Sequence, residues 1–261
     1  MSDFGRAAAL LRRTMEAADR ESGTSNPVVR FRIESRAFLA KTLSALGAFA
    51  EGRRHGEDAL HLAAQEGRGP TPIIAHGYLG ALYLAQGDLE HAIRVYTQGL
   101  ALCRASGNRD WLREILAGLG YASALQGRLV EGRAPLEEGI SESLRTGGRQ
   151  RSFSVIWLSE VCGLAGRGAE VWQHARQALD LGRQQKDRGD EALALHQLGV
   201  VQAHAASPDA EQTEAHYQQA LALAEELGMR PLQVRCHRSL GTLYAATGQR
   251  EQARRGTLHC C

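Results

Sequence analysis

Apolar residues recur at steps of three and four along nearly the whole chain. One set is Leu79, Leu82 and Tyr83; the next is Leu89, Ile93, Tyr96, Leu100 and Cys103. Steps of three and four place each set on one face of a helix. The pattern predicts helices in pairs, with a Gly between the two members of each pair. Polar or breaker-rich stretches at 67–72, 106–110, 146–150, 186–190 and 228–231 separate one pair from the next. A Gly after the first helix suits a C-terminal cap with positive φ, where a Cβ costs energy. Asp or Asn beside several of the breaks supplies an N-cap for the helix that follows.

The pairs repeat. The phrases TLSALGAFAEGRRHGEDAL, ALYLAQGDLEHAI, ASALQGRLVEGRAPL, VCGLAGRGAEVW and LYAATGQREQA carry marker glycines at Gly47, Gly87, Gly127, Gly166 and Gly248. The steps are 40, 40 and 39 residues, then 82 for two periods whose middle marker is replaced by Ala206. A lone amphipathic pair cannot bury its apolar stripe, whereas stacked neighbours bury it on both sides. The fold expected is all-α: an α-solenoid of stacked antiparallel helix pairs forming a right-handed superhelix. About five full pairs are expected, with a partial pair at each end.

The run YLGALYLAQGDLEHAIRVYTQGLAL resembles a tetratricopeptide repeat. It has Gly80, Tyr83, Gly87, Ala92, Tyr96 and Gly99 at that family's intervals, and Gly241, Tyr244, Gly248 and Ala253 repeat the signature. Ser123 and Gly132 depart from it in the third copy, and Ser159, Cys162 and Val171 in the fourth. The period of about 40 exceeds the family's common 34. Longer repeats of this kind resemble those C-terminal to bacterial signalling ATPases, adenylate/guanylate-cyclase proteins, and LuxR-type or maltose-regulator-type activators. The resemblance covers roughly 30–255. It implies a protein-binding scaffold inside a larger cytoplasmic regulator.

Composition narrows the function. With 31 Lys+Arg against 29 Asp+Glu the net charge is +2, too little for a dedicated nucleic-acid binder. Lys occurs only at Lys41 and Lys186. No apolar run reaches the roughly 18 residues of a membrane span. Five Cys in no regular framework point to a reducing cytoplasm. Phosphate loops, dinucleotide fingerprints, HExxH, CxxC and GxSxG are all missing from the sequence, so neither a catalytic residue nor a cofactor is expected.

The ends read as cut. Residues 4–19 have the pattern of a second helix whose first is missing, so 1–27 is a partial repeat with a linker. The repeat domain is placed at 28–255. Residues 256–261, Gly256-Thr257-Leu258-His259-Cys260-Cys261, do not continue the last helix. Written GGA ACT CTC CAC TGC TGC and read one base later, that tail becomes Glu-Leu-Ser-Thr-Ala, a helix continuation. A frameshifted, non-native tail is therefore expected, along with self-association through uncapped ends.

No metal site is expected. His259, Cys260 and Cys261 lack a second ligand pair at finger spacing. Cys236 and His237, adjacent on a helix, point about 100° apart, so a part-buried Cys beside a surface His is expected. Cys103 and Cys162 read as core. His196 and His204 share a face eight residues apart and read as solvent or groove-lining. Counting back six and ten residues from each marker gives the positions that line the concave surface in the resembled family. They yield a candidate partner or ligand groove of Lys41, Glu114, Tyr121, Phe153, Ile156, Glu160, His196, Arg235 and Arg238. With one Lys and no Asn, the groove lacks the carboxylate clamp of chaperone-binding relatives; an extended peptide or helix with an apolar anchor suits it better. Tyr121 and Phe153 are equally compatible with packing between repeats. The leading function is a non-catalytic interaction or regulatory scaffold module; the alternative is a sensor domain binding a small ligand or peptide on the concave face.

Overall fold

The computed structural model describes residues 3–21, 26–66, 69–145 and 152–249. Among them are twelve helices and no strand: α1 (Asp3–Arg20), α2 (Asn26–Ala45), α3 (Phe49–Glu66), α4 (Thr71–Gln86), α5 (Leu89–Ser106), α6 (Arg109–Leu125), α7 (Leu129–Arg145), α8 (Ser152–Leu164), α9 (Gly168–Gln185), α10 (Arg188–Ala203), α11 (Ala210–Leu227) and α12 (Arg230–Ala246). The 256–261 tail lies outside the described residues. The contacts group into two compact units, Met1–Arg149 and Gln150–Cys261.

The punctuation follows local chemistry. Gly47, Gly87, Gly127, Gly166 and Gly248 all have positive φ. At Gly87 (φ 84) the N–H reaches back to the Leu84 carbonyl and closes α4. Asp88, Asn108, Asp187 and Asp209 each accept a backbone N–H three residues on and cap α5, α6, α10 and α11. Where Ala206 replaces the marker, no residue has positive φ, and a six-residue connection, 204–209, joins α10 to α11. One cap breaks the rule: α9 ends on Lys186 at φ 55.

In the first unit, α2 packs beside α4 and α4 beside α6, while α3, α5 and α7 make no comparable contact with one another. The first helices of the pairs thus form one continuous layer and the second helices back it. Ile33, Leu39, Leu43, Ile73, Leu79, Leu82, Ile115, Leu116 and Leu136 are fully buried between these layers. Each contributes about 1.5–3 kcal/mol by leaving water. α1 packs on α2 through Ala8, Leu11 and Met15 against Leu39 and Leu43, as a second helix does on the next pair.

Small residues set the helix spacing. The Tyr96 ring is wedged between α4 and α6, with Gly80 on one side and Gly118 on the other. A Cβ on Gly118 would stand 2.2 Å from Tyr96 Cζ, and one on Gly80 would stand 2.8 Å away. Tyr83 ties its pair to the preceding one by donating to Glu57 Oε1 at 2.8 Å, and Tyr244 does the same to Glu214 Oε1 at 2.7 Å.

In the second unit α10 is central, packed on α8, α9 and α11. α12 lies against α11 and touches α10 only lightly. Gly199 takes the Tyr217 ring as Gly80 takes Tyr96, with a Cβ-to-ring distance of 2.5 Å.

Candidate functional site

The expected groove residues divide between the units. Lys41, Glu114 and Tyr121 belong to the first. Lys41 is exposed on α2, with Nζ 5.2 Å from the centroid of the Tyr78 ring. Tyr78 is the middle of an aromatic run across the inner layer: Phe38 lies 4.9 Å from it, and Trp111 stands edge-on at 5.1 Å. The sequence count missed this run, because Phe38 and Tyr78 sit nine residues before their markers rather than six or ten. Glu114 is half-buried on α6. After burial itself, its charge is what pushes the pKa of the Tyr96 hydroxyl up, holding it un-ionised. Tyr121 is buried.

Phe153, Ile156, Glu160, His196, Arg235 and Arg238 belong to the second unit. Phe153 stacks edge-on to Trp157 at 4.8 Å, and its N–H donates to Asp190 Oδ2 at 3.2 Å. Ile156 is buried. The register explains these burials. Positions ten residues before a marker, Ala37, Ala117, Ile156 and His196, are covered where first helices lie side by side. Arg238 holds the same register on α12 and is exposed.

The structure does bring three of the six to one place. The light contact between α10 and α12 leaves a cleft of about 360 Å³, lined by His196, Arg235 and Arg238. Val200, Tyr217, Leu243 and Ala246 form its apolar wall, and Ser239 and Thr242 its polar one. Residues 235, 238, 239, 242, 243 and 246 form one stripe of α12, the signal by which the sequence could have revealed the cleft.

His196 is not a solvent histidine, as one of its two sequence readings had it. It is 4% exposed, at the base of the cleft, with its ring 5.6 Å from that of Tyr217. Its Nε2 lies 3.2 Å from Ser239 Oγ, while Nδ1 is buried without a hydrogen-bond partner. Burial pushes its pKa down to about 3, the Arg235 charge adds to that, and a hydrogen bond to the Arg235 backbone carbonyl opposes it. The imidazole is therefore neutral at ordinary pH. His204 also lines the cleft, but as the exposed residue that ends α10. Arg235 spans α10 to pair with Glu160 on α8, Nη2 to Oε1 at 3.2 Å. Cys236 is fully buried rather than part-buried, because its side of α12 faces α11; its thiol is raised to about 12 by burial. Cys103 is also core and raised to about 11 for the same reason.

No protein-family model matches the chain. The regulatory protein AfsR of Streptomyces griseus is 31% identical over 118 residues, 44% of this chain and 12% of that protein. The chain thus spans 12% of the length of this curated relative. Among solved structures, the Rap conjugation gene regulator of plasmid pLS20, in complex with the Phr* peptide, superposes with a TM-score of 0.75. The match is at 15% identity and covers 98% of this chain and 69% of that one. A Rap protein complexed with competence and sporulation factor gives 0.72 at 13% identity, over 99% of this chain and 75% of that one. The chain has a tetratricopeptide-like repeat fold. The first helices carry the candidate residues in each unit taken by itself: the aromatic run in the first and the α10–α12 cleft in the second. No described helix is long and apolar enough to cross a membrane.

Proposed function

We propose that this chain is a non-catalytic regulatory module that binds a protein or peptide partner, as part of a larger cytoplasmic signalling or transcription regulator. The α10–α12 cleft is the proposed site, and its occupant is a peptide presenting a carboxylate next to an apolar side chain. The observation that carries this reading is an apolar-walled cleft with the buried His196 at its base and the cationic Arg235 and Arg238 among its lining residues. Arg238 is placed to take the carboxylate in a forked pair of hydrogen bonds. The wall of Val200, Tyr217 and Leu243 offers the burial that gives most peptide complexes their affinity.

Two likenesses support the reading. The Rap regulators with this fold were solved bound to peptides, and AfsR is a regulatory protein. The remaining expected residues, Lys41, Glu114, Tyr121, Phe153, Ile156 and Glu160, are proposed as supports of the two inner layers rather than as direct contacts. The test is selection of a phage-displayed random peptide library on the immobilised chain. Enrichment of peptides pairing an acidic group or free C-terminus with an apolar residue is expected. Failure to enrich any sequence would overturn the proposal.

A further inference from the structure

The turn from α8 to α9 brings three metal-ligating side chains together. Glu170 and His174 are four apart in the first turns of α9 and so share a face. Cys162 lies in the last turn of α8, fully buried, and points across the hairpin at them. One ligand atom from each of the three falls within 4.8 Å of the others. Cys162 Sγ is 3.9 Å from Glu170 Oε2. A thiolate and a carboxylate on one tetrahedral zinc stand about 3.5 Å apart, from bonds of roughly 2.3 and 2.0 Å. The sulfur and the carboxylate oxygen are thus a few tenths of an ångström beyond that separation, and a His174 ring nitrogen lies within 4.8 Å of both.

The surroundings suit a ligand set. Arg167 pairs with the other carboxylate oxygen, Oε1, which leaves Oε2 aimed at the sulfur. An outer partner that fixes a monodentate carboxylate in this way is a regular feature of metal sites. His174 keeps Nδ1 buried without a hydrogen-bond partner. Glu170 and His174 are only part-buried, so an ion has a way in. Thiolate, imidazole and carboxylate together select a borderline-soft cation.

We propose that Cys162, Glu170 and His174 bind one zinc ion, with water in the fourth position, and that the ion staples α8 to α9. This pair has the weakest repeat signature of the chain, with Ser159, Cys162 and Val171 in the slots where the family signature fails. Gly163 on α8 meets only Val171 there, at 3.8 Å from its notional Cβ. The spacing C-x7-E-x3-H matches no zinc-finger pattern, which is why sequence alone led to an expectation of no metal.

The test uses the full chain carrying His259→Ala, Cys260→Ser and Cys261→Ser, so that the tail cannot ligate. Cobalt(II) is titrated in the presence of a non-thiol reductant. The expected result is one equivalent bound with tetrahedral visible bands and a thiolate charge-transfer band, displaced by zinc. Cys162→Ser removes the charge-transfer band, and His174→Ala and Glu170→Gln each weaken cobalt binding at least tenfold. Zinc raises the unfolding midpoint of the chain but not that of the variants. The absence of a tetrahedral spectrum at saturating cobalt would overturn the proposal. So would a charge-transfer band that survives Cys162→Ser and must come from Cys103 or Cys236. If Cys162→Ser does not fold, as judged by circular dichroism, the Glu170→Gln and His174→Ala affinities decide: values unchanged from the parent chain overturn the site.

Discussion

Arg235 on α12 donates to Glu160 on α8 across the intervening α10, 3.2 Å from Nη2 to Oε1 and 75 residues apart in sequence. Of the two partners only Arg235 lines the cleft, so the pair anchors one of the cleft's cationic side chains. Arg235 is 48% exposed, so the pair itself adds at most about 1 kcal/mol to stability. Its weight falls on binding, since Glu160 competes with any incoming carboxylate. Glu160→Gln is expected to change the unfolding free energy by less than about 1 kcal/mol. It should tighten an acidic peptide by roughly fivefold, about 1 kcal/mol of removed repulsion. Calorimetric titration at two salt concentrations checks this, with the gain shrinking at the higher salt.

The α6–α7 contact is backbone against backbone. A Cβ on Gly120 would lie 2.4 Å from the Gly132 carbonyl oxygen, and one on Gly132 would lie 2.4 Å from the Gly120 oxygen. No side-chain rotation relieves either clash, so the helices themselves must separate. Gly120→Ala and Gly132→Ala should each destabilise the first unit by about 3 kcal/mol, the upper part of the overpacking range. The gain in helix propensity, about 1 kcal/mol, offsets only part of the clash. Gly168→Ala is the control, because nothing lies within 4 Å of its notional Cβ. Chemical denaturation of the three variants measures the difference.

His196 makes the second unit acid-sensitive. Its folded pKa of about 3 lies below the unfolded value of about 6.5. The unfolded chain therefore binds the extra proton between these limits, and stability falls as pH drops through that window. Stability is complete above about pH 6.5, and the slope is about 1.4 kcal/mol per pH unit. His55, His76 and His216, each lowered chiefly by burial, add in the same direction. His196→Gln should flatten the curve between pH 6.5 and pH 4. Urea midpoints followed by circular dichroism would show it; a slope unchanged in the variant would remove His196 as the source.

Lys186 is left-handed, and among the described residues every other positive φ belongs to a Gly. For a side chain with a Cβ that conformation costs roughly 1–2 kcal/mol, of which the greater unfolded-state freedom of Gly cancels a part. Lys186→Gly should stabilise the chain by about 0.5–1 kcal/mol. Its unfolding midpoint is the readout.

Much of this architecture is legible from spacing alone. The five marker glycines fall where helix pairs turn, and the caps at Asp88, Asn108, Asp187 and Asp209 sit beside the polar breaks, because both are local backbone requirements. α1 packs on α2 much as α3 does on α4 and α5 on α6. The site is less legible. Counting from a marker fixes a residue's face but not what covers that face. His196 and Arg238 share a register, yet one is buried at the base of the α10–α12 cleft and the other is exposed at its rim. The aromatic run of Phe38, Tyr78 and Trp111 lies off the counted positions, with Phe38 and Tyr78 nine residues before their markers and Trp111 in the first turn of α6. The Cys162, Glu170 and His174 cluster escaped because its ligands come from two helices across a turn.

The most direct test of the proposed function is the affinity of a library-selected peptide for the chain and for two cleft variants. Arg238→Glu reverses the charge at the rim, and Thr242→Trp fills the space between α12 and α10 without touching the core. The account predicts that each variant keeps its helical spectrum and loses at least tenfold in affinity, the loss from Arg238→Glu diminishing at high salt. Equal affinity for the chain and both variants would contradict it, and would place the peptide somewhere other than the α10–α12 cleft.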